Sequence, residues 1–408
     1  MPGPLTGIRV LDFGRVVAAP RSARLMADLG ADVIHIERPV LGDDTREDPY
    51  VFFKGMSGAF IQQNWGKKSL CINLKHADAH VILYPLIEKA DVVIENFRPG
   101  LMDALGLGYG KLSSINPGIV MCSISAFGQD GPYAGRIGYG YVVDAIAGMA
   151  MMTGDDDAVP TPPHLPMADG AAGLLAFGLI CAALQGRHAT GKGRYIDLSL
   201  LEAVTALHER PTQLFLSSQG TIRPTRRGLH DDLMVPWGYF EARDGWICII
   251  CATDRQWAAL CAAMGSPAEG TDPRYATNDR RIEHRAEIYE RITRWIGTFV
   301  SRDEIDALLS RHNVPCGKIN IIPQVLEDPQ VTARRSFVTR QHPQIGPVRL
   351  HNFLGSSMAD AELGRPAPLL GQHTREVALE AAGLDEATYR KLLESGCLFE
   401  SDVAASGV

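Results

Sequence analysis

Residues 7–37 read GIRVLDFGRVVAAPRSARLMADLGADVIHIE, and this stretch decides the fold. Its β-branched, apolar runs predict strands over Ile8–Phe13 and Val33–Glu37, and the intervening pattern predicts a helix over Arg21–Leu29. A strand, a helix and a second strand in about 30 residues form one βαβ unit, whose two strands run parallel.

The same alternation continues toward the middle of the chain. Further strands are predicted over Ser69–Leu74, Asp91–Phe97 and Ile119–Ser125, with a helix over Val81–Lys89 between the first two. Strands that alternate with helices indicate an α/β fold with a mostly parallel sheet, and ligands of such sheets bind beyond the carboxyl ends of the strands.

A long apolar segment follows Asp169. Residues 171–187 read AAGLLAFGLICAALQGR, which is apolar on all faces and therefore predicts a buried helix. At 17 residues it is short for a membrane span.

After about residue 224 the sequence pattern changes to a hairpin followed by helices. Tyr239–Ala242 and Trp246–Cys251 flank Asp244-Gly245 and predict a hairpin, and Ser301 with Glu304 has capping-box spacing. We therefore expect a large domain that begins with residues 1–205, a smaller α+β domain over 224–330, and a segment over 335–408 that carries a last helix.

Composition sets the limits on function. The 408 residues are 46% hydrophobic and 21% charged, and the net charge of −7 favours neither nucleic acid nor an anionic membrane as a partner. The N-terminus lacks a signal-peptide pattern, so we expect a cytoplasmic protein. The eight cysteines are predicted to be reduced, and Cys248 and Cys251, although spaced as CxxC, fall on a strand whose i and i+3 positions face opposite sides.

Several common catalytic motifs are missing from the sequence. Gly14–Pro20 follows the first strand without a GxGxxG pattern, which disfavours NAD binding. The chain has no GxSxG, HExxH or Walker A sequence, and its histidines lack metal-ligand spacing. Hydrolase and metalloenzyme activities are therefore disfavoured, and no metal site is predicted.

Asp169 is the candidate with the clearest chemistry. Met167–Gly170 lies just before the long apolar helix, whose N-terminus would stabilise the Asp169 carboxylate as an anion, the form that acts as a nucleophile. The same position also suits a residue that only caps the helix.

Basic residues recur near the predicted strand ends. They could bind phosphate groups, although each also suits an ordinary exposed surface position. These residues are Arg38, Lys67, Lys68, Lys75 and Arg98.

Six ordered segments resemble the class III CoA-transferases, a family that includes formyl-CoA:oxalate and carnitine CoA-transferases and, as a branch, the α-methylacyl-CoA racemases. The segments are Gly7–Asp12, Leu25–Ile34, Asp91–Gly100, Phe127–Pro132, Gly191–Gly193 with Ile196–Glu202, and Ala367–His373.

The resemblance implies a Rossmann-like large domain built from both chain ends, a small central domain, and an obligate homodimer whose two subunits are interlocked. It implies that CoA is a substrate, with no tightly bound cofactor, and that Asp169 is the nucleophile. By the same resemblance, the CoA contacts are Val16, Val17, Ala18, Arg38, Lys75, Asn96, Phe97 and Arg98.

The resemblance also places an acyl pocket around Gly138, Tyr139 and Gly140. Family racemases carry a His-Asp pair after the glycine that is Gly138 here, whereas this chain has Tyr139-Gly140. A tyrosine is a poor base at neutral pH, so transfer of CoA is favoured over racemisation.

The stretch over 226–236 corresponds to a lid that is rich in glycine in family members acting on oxalate. Here it holds one glycine together with Arg226, Arg227 and His230, which could pair with a distal carboxylate or could be exposed loop charges. We therefore predict transfer between an acyl-CoA and a carboxylic acid such as a short dicarboxylate. The alternatives are a racemase or epimerase, which would need a histidine such as His164, His208 or His230 in the site, and a non-catalytic CoA-binding protein.

Overall fold

The fold is described from a computed structural model. It covers residues 3–48, 52–53, 56–162, 164–353 and 364–400. The chain divides into two compact units, the first formed by Met1–Ala147, His164–Arg210 and Pro329–Val408, and the second by Gly148–Pro163 and Pro211–Asp328.

The strands are numbered in chain order. They are β1 (Arg9–Asp12), β2 (Asp32–Glu37), β3 (Phe52–Phe53), β4 (Met56–Ser57), β5 (Lys68–Ile72), β6 (Val92–Glu95), β7 (Val120–Ser125), β8 (Tyr195–Ser199), β9 (Trp237–Ala242), β10 (Gly245–Ile250), β11 (Cys316–Lys318), β12 (Phe337–His342), β13 (Gly346–His351) and β14 (Leu398–Phe399).

The α-helices are numbered in the same way. They are α1 (Ala18–Asp28), α2 (Gly58–Asn64), α3 (Ala79–Glu88), α4 (Leu101–Ala104), α5 (Tyr109–Ile115), α6 (Gly140–Ile146), α7 (Met167–Thr190), α8 (Leu200–Thr205), α9 (Glu209–Ser217), α10 (Asp254–Ala263), α11 (Asn278–Glu283), α12 (Arg285–Ile296), α13 (Arg302–Arg311), α14 (Ile322–Glu327), α15 (Pro329–Ala333), α16 (Thr374–Glu376) and α17 (Glu386–Glu394). Short 3-10 segments lie at Asp44–Glu47, Met149–Met151, Ala206–His208 and Pro267–Thr271, and a π-helical turn lies at Val377–Ala382.

The first unit is built on one large sheet. Within the described residues its strand order is β14-β5-β2-β1-β6-β7-β8, and every neighbouring pair is parallel except β14 with β5. The predicted βαβ unit over residues 7–37 is confirmed as β1, α1 and β2. The predicted strands over Ser69–Leu74, Asp91–Phe97 and Ile119–Ser125 are confirmed as β5, β6 and β7.

The sheet is covered by helices on both faces. On one face, Leu11, Ile34 and Leu70 share a buried core with the apolar side of α3, the π-helical turn and α17. On the other, α1 and α7 pack together and lie against β1 and β7. Burial on both faces explains why the strand sequences are almost continuously apolar.

The second unit is smaller and mixes strands with helices. Strands β9 and β10 form the predicted hairpin around Gly245, whose φ of 134° suits glycine, and β11 pairs with the outer side of β10. Helix α13 begins where the sequence predicts it, since the hydroxyl of Ser301 accepts from the N–H of Glu304.

Helix α7 differs from the prediction in length and burial. It has 24 residues, and its buried positions form a stripe that includes Ala172, Ala176 and Ile180, whereas Leu174 is 54% exposed. By length and composition alone, α7 is the one helix in the described residues that could cross a membrane, a test that core helices of soluble proteins also pass. The prediction of a helix buried on all faces is therefore wrong for the single chain.

Candidate active site

Asp169 lies within the first turn of α7 and not just before it, as the sequence suggested. Its side chain does not cap the helix. The residue that precedes the helix, Pro166, has no side-chain cap, and the carboxylate of Asp144 on α6 accepts a hydrogen bond of 3.0 Å from the N–H of Ala168. The capping interpretation of Asp169 is therefore wrong, because another carboxylate performs that role.

The Asp169 carboxylate is half-buried, and no described residue donates a hydrogen bond to it. Burial and the neighbouring charge of Asp144 raise the pKa of Asp169 to about 6, against the opposing positive charge of Arg21. At neutral pH the group is therefore mostly ionised, as a carboxylate nucleophile must be, although weakly stabilised.

The start of α6 fits closely around this carboxylate. A Cβ atom added to Gly140 would lie 2.0 Å from Oδ2 of Asp169, so only glycine leaves room for the side chain as it stands. A Cβ on Gly138 would lie 2.7 Å from the Cβ of Ala126. Tyr139 lies between the two glycines and is 73% exposed.

The predicted CoA contacts share one edge of the sheet. Each follows the carboxyl end of a parallel strand, as ligand-binding residues of open α/β sheets do. They are Val16, Val17 and Ala18 after β1, Arg38 after β2, Lys75 after β5, and Asn96, Phe97 and Arg98 after β6.

The loop after β1 is held by side chains from neighbouring strands. Asn96 uses both ends of its amide on Arg15: Oδ1 accepts from the backbone N–H at 2.8 Å, and Nδ2 donates to the carbonyl at 2.8 Å. Asp43 accepts from the N–H of Val16, a β-branched residue at φ 65°. Asn96 therefore fixes the conformation of the loop at Arg15. The guanidinium carbon of Arg15 also lies 5.2 Å from the centre of the Phe97 ring.

A buried charge cluster supports Asp43. His35 bonds to Asp12 at 3.1 Å and lies 3.6 Å from Asp43. Although burial opposes the charge, Asp12 and Asp43 raise the pKa of His35 to about 9, so the ring is a cation at neutral pH. The cation links the end of β1 to the segment that holds Val16.

The remaining basic candidates differ in their surroundings. Arg38 pairs with Asp44 and donates to the carbonyl of Gly42 at 3.1 Å. Lys75 and Arg98 are exposed, and no described residue pairs with either cation. These two side chains have their full charge available for phosphate groups.

Lys67 and Lys68 differ from these candidates in position and in pairing. They lie at the start of β5, the opposite end of the strand from Lys75. Lys67 is fully buried and bonds to Asp12 at 2.7 Å, while Lys68 pairs with Asp32 at 2.8 Å. The suggestion that these two lysines could bind phosphates is wrong, because both are already neutralised.

His230 lies in the second unit, where its ring stacks on Tyr289 at 4.0 Å. Burial lowers the pKa of His230. Arg227 lies 3.9 Å from both Asp231 and Asp232, whereas Arg226 is buried, with Nε and Nη1 lacking a described acceptor.

The sequence does not indicate two charged residues that lie close to Asp169 in the structure. Arg21 and Asp144 precede Asp169 by 148 and 25 positions, and neither belongs to a recognisable motif. The spacing of small residues on α7 could have indicated that another helix approaches it closely there. No cluster of potential metal ligands is found in the described residues, and all eight cysteines are free thiols.

The first unit combines a mostly parallel α/β sheet, basic side chains near the carboxyl edge of that sheet and a half-buried carboxylate in the first turn of an apolar helix. These features suit an enzyme that acts on a phosphate-bearing acyl substrate through a carboxylate nucleophile. The family model for CoA-transferase family III matches residues 5–374, and the chain belongs to this family. It is a CoA-transferase.

Two relatives of this chain carry the names of CoA-transferases with different acceptor acids. The chain is 34% identical to the succinyl-CoA:glutarate CoA-transferase of Mus musculus, over 97% of this chain and 90% of the relative. It is also 34% identical to the succinyl-CoA–D-citramalate CoA-transferase of Chloroflexus aurantiacus, over 94% and 96% of the two chains. A CaiB/BaiF family protein from Brucella suis has a similar structure, with a TM-score of 0.80, 32% identity, and coverage of 93% and 100%.

Proposed function

We propose that this protein moves CoA from a dicarboxylic acyl-CoA, such as succinyl-CoA, to a second short dicarboxylic acid, with Asp169 as the covalent carrier. The observation that carries the proposal is the Asp169 carboxylate, which is half-buried, without a described hydrogen-bond donor, and ionised above a pKa of about 6. Relatives that act on glutarate and citramalate support the choice of acids.

The first half of the reaction transfers CoA to the enzyme. An oxygen of Asp169 attacks the thioester carbonyl, the carbon–sulfur bond breaks, and CoA leaves as a thiolate from a mixed anhydride. The thiolate then attacks Cγ of Asp169, the carbon–oxygen bond of the anhydride breaks, and the donor acid leaves as a carboxylate. An aspartyl-CoA thioester remains.

The second half reverses these steps with the acceptor acid. Its carboxylate attacks the aspartyl thioester and forms a second anhydride, and the returning thiolate attacks the acceptor carbonyl and releases Asp169 as a carboxylate. No proton is gained or lost, so the site needs a nucleophile and the exclusion of water instead of a general base.

For the substrates, we propose that the residues after β1, β2, β5 and β6 bind CoA and that Gly138, Tyr139 and Gly140 line the acyl pocket. The CoA contacts are Val16, Val17, Ala18, Arg38, Lys75, Asn96, Phe97 and Arg98, and the amide of Asn96 also holds the loop after β1. The exposed cations of Lys75 and Arg98 support the phosphate contacts. We propose that no other cofactor is held tightly.

We further propose a soluble, cytoplasmic, interlocked homodimer, whose large and small domains correspond to the two compact units. Leu174, Leu175 and Leu179 of α7 are between 37% and 54% exposed in the single chain, and a second subunit would remove this apolar surface from water. Sedimentation at nanomolar concentration would test the dimer, and a monomeric species there would contradict it.

The covalent route is tested by intact-mass spectrometry after incubation with succinyl-CoA, beside Asp169→Asn. We expect a CoA adduct that hydroxylamine removes, mapping to Asp169 and missing from the variant. Exchange of the α-proton in heavy water without any adduct would instead indicate racemase chemistry and refute this route.

A further inference from the structure

Arg21 has a guanidinium group beside the catalytic carboxylate. The residue lies one turn into α1, where this helix crosses α7 at Gly170 and Gly173. A Cβ atom on Gly173 would lie 3.1 Å from Cβ of Arg21, and one on Gly170 would lie 3.0 Å from its Nη1. These two glycines form a groove for the side chain and bring its charged end next to Asp169.

The guanidinium of Arg21 has no hydrogen-bond or ion-pair partner among the described residues. Its Nε is buried, and no described residue accepts a hydrogen bond from it. By contrast, Arg24, one turn further along α1, bonds to Asp28 at 2.7 Å and to the carbonyl of Gln62 at 3.0 Å. A buried charged N–H group without an acceptor destabilises the folded protein. In an active site, such a group therefore indicates that a ligand accepts the missing hydrogen bond.

Asp169 is not the missing partner. The positive charge of Arg21 reaches this carboxylate, since it opposes the rise in the pKa of Asp169, yet neither an ion pair nor a hydrogen bond joins the two side chains. The ring of Phe353 lies 5.8 Å from the guanidinium carbon. A guanidinium over an aromatic ring still offers the N–H groups of its edge to a planar anion.

The chemistry of the substrate supplies such an anion. When one carboxyl group of a dicarboxylic acid is joined to Asp169 or to CoA, the other remains ionised and has to be held near the reacting carbon. We propose that Arg21 binds this free carboxylate of the donor and acceptor acids and selects dicarboxylic over monocarboxylic substrates, an inference that rests on the proposed function. The fork of the guanidinium matches a carboxylate with two parallel hydrogen bonds.

The test compares two acceptors of similar length, glutarate and butyrate, with succinyl-CoA as donor at pH 8, where Asp169 is ionised. We expect Arg21→Gln to lower kcat/KM for glutarate by about 30- to 100-fold, the loss typical of a hydrogen-bonded charge pair, and to change the value for butyrate less than about threefold. Arg21→Lys should lie between, because it retains the charge without the fork. Arg390→Gln makes the same change at an exposed site on α17 and should match the wild type.

Two results would overturn the inference. An equal loss for glutarate and butyrate would mean that Arg21 acts only through Asp169, and no loss for either would mean that the guanidinium does not contact the acid. A selective loss in Arg226→Gln without one in Arg21→Gln would assign the carboxylate to Arg226, whose Nε and Nη1 also lack a described acceptor.

Binding without turnover separates this inference from the proposed function. Calorimetry with glutarate on Asp169→Asn should give a Kd that rises at least tenfold when Arg21→Gln is added. If succinyl-CoA and glutarate give no transfer in the wild type and this rise is still observed, the carboxylate site stands while the proposed acids are wrong. If transfer proceeds and the Kd is unchanged, Arg21 is not the site.

Discussion

Gly140→Ala should inactivate the enzyme without unfolding it. The added Cβ would lie 2.0 Å from Oδ2 of Asp169, whereas ordinary contacts begin at 3.4 Å. The carboxylate must therefore move by about 1.4 Å, and a displacement of about 1 Å in a reacting group can cost about 100-fold in rate. We expect kcat for CoA transfer to fall by about 100-fold or more.

Stability should not explain that loss. Gly140 is the first residue of α6, and alanine favours a helix over glycine by up to about 1 kcal/mol, so the melting temperature should be unchanged or higher. Gly110→Ala is the matched control, since Gly110 lies in the first turn of α5 with nothing within 4 Å of the added atom. Transfer of CoA would be followed by chromatography of both thioesters. A Gly140→Ala enzyme with more than half the wild-type kcat would refute the steric argument.

Three further predictions concern the charge of Asp169. Because the proposed attack needs the ionised form of Asp169, kcat/KM should fall about tenfold per pH unit below a midpoint near pH 6, and a flat profile from pH 8 to pH 5 would exclude Asp169 as the titrating nucleophile. Asp144→Asn keeps an oxygen for the N–H of Ala168 but removes a like charge, so that midpoint should move to lower pH; an unchanged midpoint would contradict the electrostatic role of Asp144. Folded Asp169 holds its proton more tightly than an ordinary aspartate carboxyl, whose pKa is 3.8, so the ionisation of Asp169 opposes folding. This cost builds up as the pH rises from 3.8 to about 6 and is constant above that. The melting temperature of Asp169→Asn should therefore exceed that of the wild type at pH 8 and approach it at pH 4, and equal values at pH 8 would show that ionisation carries no such cost.

The large sheet could be predicted because its signals are local. Residues 7–37 contain a complete βαβ unit, and each strand carries its own run of buried apolar side chains. The edge on which the CoA candidates lie follows from the parallel arrangement, since the carboxyl ends of parallel strands meet there. Lys67 and Lys68 visibly precede the predicted strand Ser69–Leu74, but the sequence does not reveal that Asp12 and Asp32 neutralise them, because those partners lie on other strands of the sheet.

The immediate surroundings of Asp169 depend on helix packing and could not be predicted in this way. Arg21 and Asp144 come from α1 and α6, which approach α7 only in the folded chain. The exposure of Leu174 on α7 has the same origin: an apolar sequence indicates that a helix will be covered, but not whether its own chain or another one covers it.

At the N-terminus of α7, the backbone N–H of Ala168 donates to Asp144 and not to Asp169. An aspartate in the first turn of a helix would ordinarily be stabilised by backbone N–H groups, which lower its pKa and occupy its oxygen lone pairs. Here Asp144 accepts the hydrogen bond from Ala168, while Asp169 has no described donor and its pKa rises to about 6. A weakly solvated carboxylate with free lone pairs is the more reactive nucleophile toward a thioester, which is the role that we propose for Asp169. Arg21 lies close by but is not paired with this carboxylate, so it does not neutralise it. Burial and the charge of Asp144 therefore leave Asp169, a residue of the first turn, with a raised pKa and no described hydrogen-bond donor, which is the state that the proposed covalent chemistry needs.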